Sequence, residues 1–137
     1  MMNWKLILML SLCGIVTGLA VVFVLPAKYE SAVATPIYLF SAYMLARFIE
    51  RRHFLHGMLV GLISTAWSVL ICITLWESYV AHHTDGTDPY TKLAKVYGIT
   101  VPRAMLFLGM FNALLSAVVT GAFTHAAGKI MHKVRGW

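Results

Sequence analysis

Charge is what this chain has least of. Only 12% of its 137 residues are Asp, Glu, Lys or Arg, about half of the roughly 25% usual in soluble domains. The acids number five, Glu30, Glu50, Glu77, Asp85 and Asp88. No acid, Lys or Arg lies deep within a long apolar run. A proton-coupled pump needs an ionisable group at depth in the bilayer, so that class is disfavoured. Cysteine is scarcer still. Cys13 and Cys72 both fall within apolar runs, with no second Cys or His beside them to suggest zinc, and they do not form the pair of a thiol–disulfide enzyme. They read as small buried apolar side chains. No deep His pair on facing spans suggests haem ligation. No nucleophile–base arrangement and no Gly-rich phosphate loop after a strand is legible. These absences leave no catalytic residues and no cofactor to name.

What the chain has is apolar length. It is 60% hydrophobic, against about 45–50% in soluble domains, with a mean hydropathy of +0.78. The net charge of +6 sits in short clusters at the ends of the apolar runs, where cations meet lipid headgroups. A nucleic-acid binder would spread it along one face, so nucleic acid is not expected as a partner. The densest cluster is residues 47–56, RFIERRHFLH, with Arg47, Arg51 and Arg52 against the single acid Glu50. A basic turn between two membrane spans is held on the cytoplasmic side.

Residues 6–25 carry no charge, and about 20 such residues cross a bilayer. Asn3, Trp4 and Lys5 before them look like the start of a signal peptide. The run is longer than a signal core of about 7–15 residues, and its exit through Val24, Leu25 and Pro26 lacks a small-x-small cleavage site. An uncleaved span is expected. The second span, about 33–49, is short. Residues 31–46 are its only uncharged stretch, Pro36 is expected in its first turn, and Arg47 can snorkel to lengthen it. A re-entrant or interfacial segment is the alternative. The third span, about 57–79, closes on Trp76, Glu77 and Tyr79. The fourth, about 103–127, is followed by Lys129, Lys133 and Arg135 and by the last aromatic, Trp137. Between the third and fourth, residues 89–97 read as a short amphipathic helix, with Asp88 as N-cap, Pro89 at the first position and Gly98 after the end. The expected fold is all-α: one transmembrane domain over residues 1–137, a four-helix bundle with a short helix in the outer loop.

Orientation follows from Lys and Arg. With the N-terminus inside, Lys5, Arg47, Arg51, Arg52, Lys129, Lys133 and Arg135 are inside and Lys28, Lys92, Lys95 and Arg103 outside, seven against four. Both termini are expected in the cytoplasm. Arg47, Arg51, Arg52, Lys129 and Lys133 are expected on anionic headgroups, with His53 and His56 interleaved.

Small residues mark the helix contacts. Gly14 and Gly18 form one G-x-x-x-G, Gly57 and Gly61 another, and Gly109, Ala113, Ala117 and Gly121 follow at intervals of four. Small residues at this spacing let helix backbones approach closely, within the chain or in a homo-oligomer; packing within the chain is favoured. The first and third spans share the motif, and the second and fourth share a Tyr followed by a Pro, which is either a repeat of two hairpins or coincidence. Asn112 is the strongly polar side chain near the middle of a span. It shares a face with Gly109, Ser116 and Thr120, so that face is expected to point inward, with Ser64, Thr65 and Ser68 on span three as partners. It reads first as an inter-helix hydrogen bond, second as a contact for a substrate or ion. In the outer loop His82, His83, Asp85 and Asp88 are of metal-ligand type, but their spacing matches no defined site and a solvated loop accounts for them.

The sequence of the third span, GMLVGLISTAWSVLICITLWESY, completes a pattern: span, short outer loop, span, basic turn, glycine-containing span, longer outer loop, span, basic tail. In that pattern the chain resembles small four-span bacterial membrane proteins belonging to families of unknown function. The resemblance implies a bacterial inner-membrane address and no activity. The expected function is a non-enzymatic structural or accessory membrane protein, in a larger complex or as a homo-oligomer. The alternative is a small transporter or channel with a polar path near Asn112.

Overall fold

The computed structural model describes residues 2–26, 29–84 and 88–135. The fold is all-helical, 87% helix, with no strand among the described residues. In chain order the helices are α1 (Trp4–Ser11), α2 (Cys13–Phe23), α3 (Glu30–Phe48), α4 (His53–Thr74), α5 (Trp76–His82), α6 (Pro89–Tyr97) and α7 (Val101–Arg135). Among the described residues three helical stretches are long and apolar enough to cross a membrane: Trp4–Phe23, His53–Thr74 and Val101–Val134. The apolar part of α3, Ala32–Phe48, is shorter. Lys28, Asp85 and Trp137 lie outside the described residues.

The breaks have local causes. Ser11 bonds back to the Leu8 carbonyl at 2.8 Å, and α1 gives way to α2 at the next residue, Leu12. Thr74 bonds back to Leu70 at 2.7 Å, and α4 gives way to α5 at Leu75. A Ser or Thr hydroxyl that competes for a helix carbonyl favours a bend but does not break a helix alone, since Thr17 and Thr124 make the same bond inside α2 and α7. Pro36 lies inside α3 and not in its first turn, because the helix already begins at Glu30. α4 starts at His53, four residues before the expected onset at Gly57, because Arg52 adopts a left-handed conformation (φ 59°) that turns the chain out of α3. α6 is capped by the Asp88 carboxylate and ended by Gly98 at φ 64°, a conformation that costs glycine little.

α4 is the central helix. α1 and α2 run parallel to it: the Asn3 N–H meets His56 near the start of both, and Gly14 and Gly18 sit on Ser64 and Ser68 further along. α7 runs antiparallel, with Gly57 against Thr120 and Thr124, Gly61 against Ser116 and Thr120, and Gly109 against Val69. α3 packs on α7 much more than on α2. The repeat considered from sequence does not extend to these contacts: Gly14 and Gly18 face α4, whereas Gly57 and Gly61 face α7.

The buried apolar side chains form two clusters. One, near the basic turn, holds Ile7, Leu10, Leu45 and Val60. The other gathers Val21, Val22, Cys72, Tyr79, Tyr90, Ala94, Ala104 and Met105 from α2, α4, α5, α6 and α7. The exterior is apolar too, with Val16, Phe107, Phe111, Leu114 and Val118 exposed. A chain with this surface suits a hydrocarbon surround better than water.

Candidate functional site

Between the two clusters the bundle opens into a cavity of about 410 Å3. α4 supplies Ser64, Thr65 and Ser68, one turn of one face. α7 supplies Asn112 and Ser116, α3 supplies Thr35 and Tyr38, and α2 supplies Gly14 and Thr17. Tyr90 of α6 reaches its wall, and the apolar part includes Ala34, Ile37, Leu115, Val119 and Phe123. Among the described residues no Asp, Glu, Lys, Arg or His lines it. Gly14, with no side chain, leaves α2 and α4 close at one wall: a Cβ there would fall on the Ser64 carbonyl.

Three hydroxyls and a carbonyl form one line through this wall. Tyr38 Oη is 3.2 Å from Thr65 Oγ1, Thr65 Oγ1 is 2.6 Å from Ser116 Oγ, and Ser116 donates to the Gly61 carbonyl at 2.9 Å. The side-chain hydrogen bonds joining α4 to α7 among the described residues thus run through Ser116, and not through Asn112 as the sequence led one to expect. Asn112 lines the cavity with Ser116 and is exposed. Like Ser64 and Ser68, it shares the cavity and makes no side-chain bond to another described residue. Thr65 was expected as a polar partner on span three, but for Asn112; Tyr38, on the short second span, was not named.

Thr120 is fully buried on the same helix, with Oγ1 unpartnered and packed on Gly61. A buried hydroxyl without a partner costs about 1–3 kcal/mol. Thr120→Val keeps the shape and removes the cost. It is expected to stabilise the protein by about 1 kcal/mol in thermal unfolding in detergent; a loss of stability would mean that the hydroxyl has a partner.

The small residues named from sequence all lie at helix contacts. Gly18 meets Ser68 and Ile71, Gly121 meets Phe54, and Ala113 and Ala117 are buried. In the loop before α6, Asp88 is buried and its carboxylate is taken up by Tyr79 Oη at 2.7 Å and by the backbone N–H groups of Tyr90 and Thr91. His83 stacks on Tyr79 with centroids 4.0 Å apart, and its two nitrogens lie 2.8 Å from the Tyr79 carbonyl and 3.0 Å from the Leu25 carbonyl. Both carbonyls only accept, so a ring with one proton satisfies one of them at a time. His82 is exposed, 2.8 Å from the Ser78 carbonyl. No group of three metal-ligand side chains close enough to share an ion is present among the described residues.

At the other end Arg47, Arg51, Arg52, Lys129 and Lys133 are all exposed. Arg47 lies 5.8 Å from the Phe48 ring centroid. His56 is buried and ties three segments together: Nε2 accepts the Asn3 N–H at 3.1 Å while Nδ1 donates to the Arg52 carbonyl at 2.9 Å. His53 packs on Gly128 and edge-on to His132, ring centroids 5.9 Å apart. No protein-family model, curated protein or solved structure matches the chain.

Proposed function

We propose that the chain is a four-span integral membrane protein, not an enzyme, whose central cavity takes up a small uncharged molecule, as a small transporter does. The observation that carries this reading is the cavity itself: about 410 Å3, hydroxyl-lined, with no charged side chain and no partner for the Asn112 amide among the described residues. An amide in hydrocarbon without a partner costs several kcal/mol, and a polar ligand or water in the cavity relieves that cost. α3 counts as the second span in this reading. Its 19 residues extend about 28 Å at 1.5 Å per residue, close to the roughly 30 Å of a hydrocarbon core. α6 then lies at the outer face. The basic turn, Lys129 and Lys133 lie at the cytoplasmic face with both termini, against anionic headgroups. The resemblance to small bacterial membrane proteins favours an inner-membrane address.

Two measurements test this. Asn112→Leu breaks no side-chain bond among the described residues, so its unfolding free energy in detergent is expected to stay within about 0.5 kcal/mol of wild type, while uptake or binding of the ligand is lost. A marked loss of stability would return Asn112 to a structural role. In a background lacking Cys13 and Cys72, Val96→Cys on α6 is expected to react with an impermeant thiol reagent in intact cells, and Lys133→Cys is expected to be protected. The reverse pattern would invert the orientation.

A second reading, an accessory subunit or homo-oligomer, rests on the outer face of α7. Phe107, Phe111, Leu114 and Val118 are exposed there, and a partner helix can cover them as lipid does. Because the glycine seams are used within the chain, assembly would use an exposed apolar face such as this one. A partner recovered in fixed ratio in mild detergent would favour it.

A further inference from the structure

We infer that the cavity selects its ligand by a hydrogen-bond donor: the ligand is a membrane-soluble alcohol, one hydroxyl on an apolar body. The inference rests on the cavity being the functional site, and the direction of the hydroxyl line carries it. Ser116 gives its proton to the Gly61 carbonyl. A hydroxyl has one proton and two lone pairs, so across the 2.6 Å to Thr65 it is Thr65 that donates and Ser116 that accepts. Thr65 has then used its proton and accepts from Tyr38 across 3.2 Å. Every proton in the line points toward the contact between α4 and α7.

Tyr38 stands at the other end, on the cavity. Its proton is committed to Thr65, so toward a ligand it offers lone pairs alone. Donating into a chain of hydrogen bonds polarises a hydroxyl into a better acceptor. A group that meets Tyr38 Oη must therefore bring a proton. A hydroxyl does so; an ether or a ketone of the same size does not. Asn112, on the same cavity, has amide donors for the lone pairs of the ligand's oxygen.

The rest of the wall sets the body of the ligand. Ala34, Ile37, Leu115, Val119 and Phe123 are apolar, and among the described residues no charged side chain lines the cavity to receive an ionised head. A phosphate or carboxylate would lose its hydration there without compensation. At roughly 30 Å3 per water-sized group, 410 Å3 admits about a dozen non-hydrogen atoms.

The test compares 1-decanol with 1-methoxynonane, which has the same number of non-hydrogen atoms and an ether in place of the hydroxyl. Each is titrated into the full-length protein in phosphatidylcholine nanodiscs, and binding is read from the rise in unfolding temperature. Ala34→Phe, which fills the cavity from α3 away from the glycine contacts, serves as the blank for partitioning into lipid. Wild type is expected to bind the alcohol roughly tenfold more tightly than the ether. Tyr38→Phe keeps the ring and removes the acceptor, so the alcohol is expected to fall to the level of the ether. Equal binding of the two by wild type, or a preference that survives in Tyr38→Phe, would overturn the inference and leave the cavity as a site. Binding of neither probe above the Ala34→Phe blank would overturn the functional reading of the cavity as well.

Discussion

Gly61→Leu is expected to prevent the bundle from folding. A Cβ at Gly61 would lie 2.5 Å from the Ser116 carbonyl oxygen, 2.9 Å from its carbon and 2.8 Å from Thr120 Oγ1. The first two are backbone atoms, so no change of rotamer relieves the clash. α4 and α7 would have to separate, and the bonds from Ser116 to the Gly61 carbonyl and to Thr65 would go with the contact. Overpacking a core costs about 1–3 kcal/mol when side chains can adjust; here they cannot, and the loss is expected to exceed that range. Ala113→Leu, at a buried position on the same face of α7, is expected to be the next most damaging. The useful control is Phe111→Ala, at an exposed position, with an expected change within about 0.5 kcal/mol. Leu108 is unsuitable, because it packs against the cluster around Tyr79 and Met105 and does not face outward. Size exclusion and thermal unfolding in detergent measure all three. Folded Gly61→Leu protein melting within a few degrees of wild type would show that the two backbones do not touch as described.

The features legible in the sequence are those that depend on one kind of residue at one spacing. Long uncharged runs disclosed three membrane-length helices, because charge in hydrocarbon is costly at any position. Glycines four apart disclosed the helix contacts, because only a missing side chain allows the backbones so close. Asp88, Pro89 and Gly98 disclosed α6, because each serves a helix end chemically. Features that depend on two distant positions were not legible. The break at Leu12 follows a Ser and the break at Leu75 follows a Thr, but other Ser and Thr residues sit in unbroken helices, so neither is a signal alone. Asn112 was placed on the inward face with Ser116, and residues four apart on a helix differ by about 40° in direction. That offset puts Ser116 into the contact with Thr65 and leaves Asn112 at the cavity edge. Tyr38 joins the hydroxyl line from 27 positions away, a pairing that no local spacing encodes.

Asp88→Ala is expected to release α6 from the bundle. Nine residues are too few for a stable isolated helix, so α6 depends on its cap and on burial of Tyr90 and Ala94. The Asp88 carboxylate, itself 1% exposed, holds the Tyr90 and Thr91 N–H groups, the Thr91 hydroxyl at 2.5 Å and the buried Tyr79 phenol at 2.7 Å. Loss of a cap costs about 0.5–2 kcal/mol, and loss of the buried phenol's hydrogen bond to the carboxylate adds about 1–3 kcal/mol. The expected total is about 3 kcal/mol. Tyr79→Phe removes only the phenol and leaves the cap, so its expected cost is about 1 kcal/mol. Once Asp88 is Ala, the phenol has lost its bond to that carboxylate, so adding Tyr79→Phe is expected to cost less than it does in wild type. Thermal unfolding of the two single variants and the double variant measures that coupling, and hydrogen exchange across Pro89–Tyr97 shows whether α6 is the part released. Strictly additive losses, or an α6 that stays protected in Asp88→Ala, would mean that the loop is held by something other than this carboxylate.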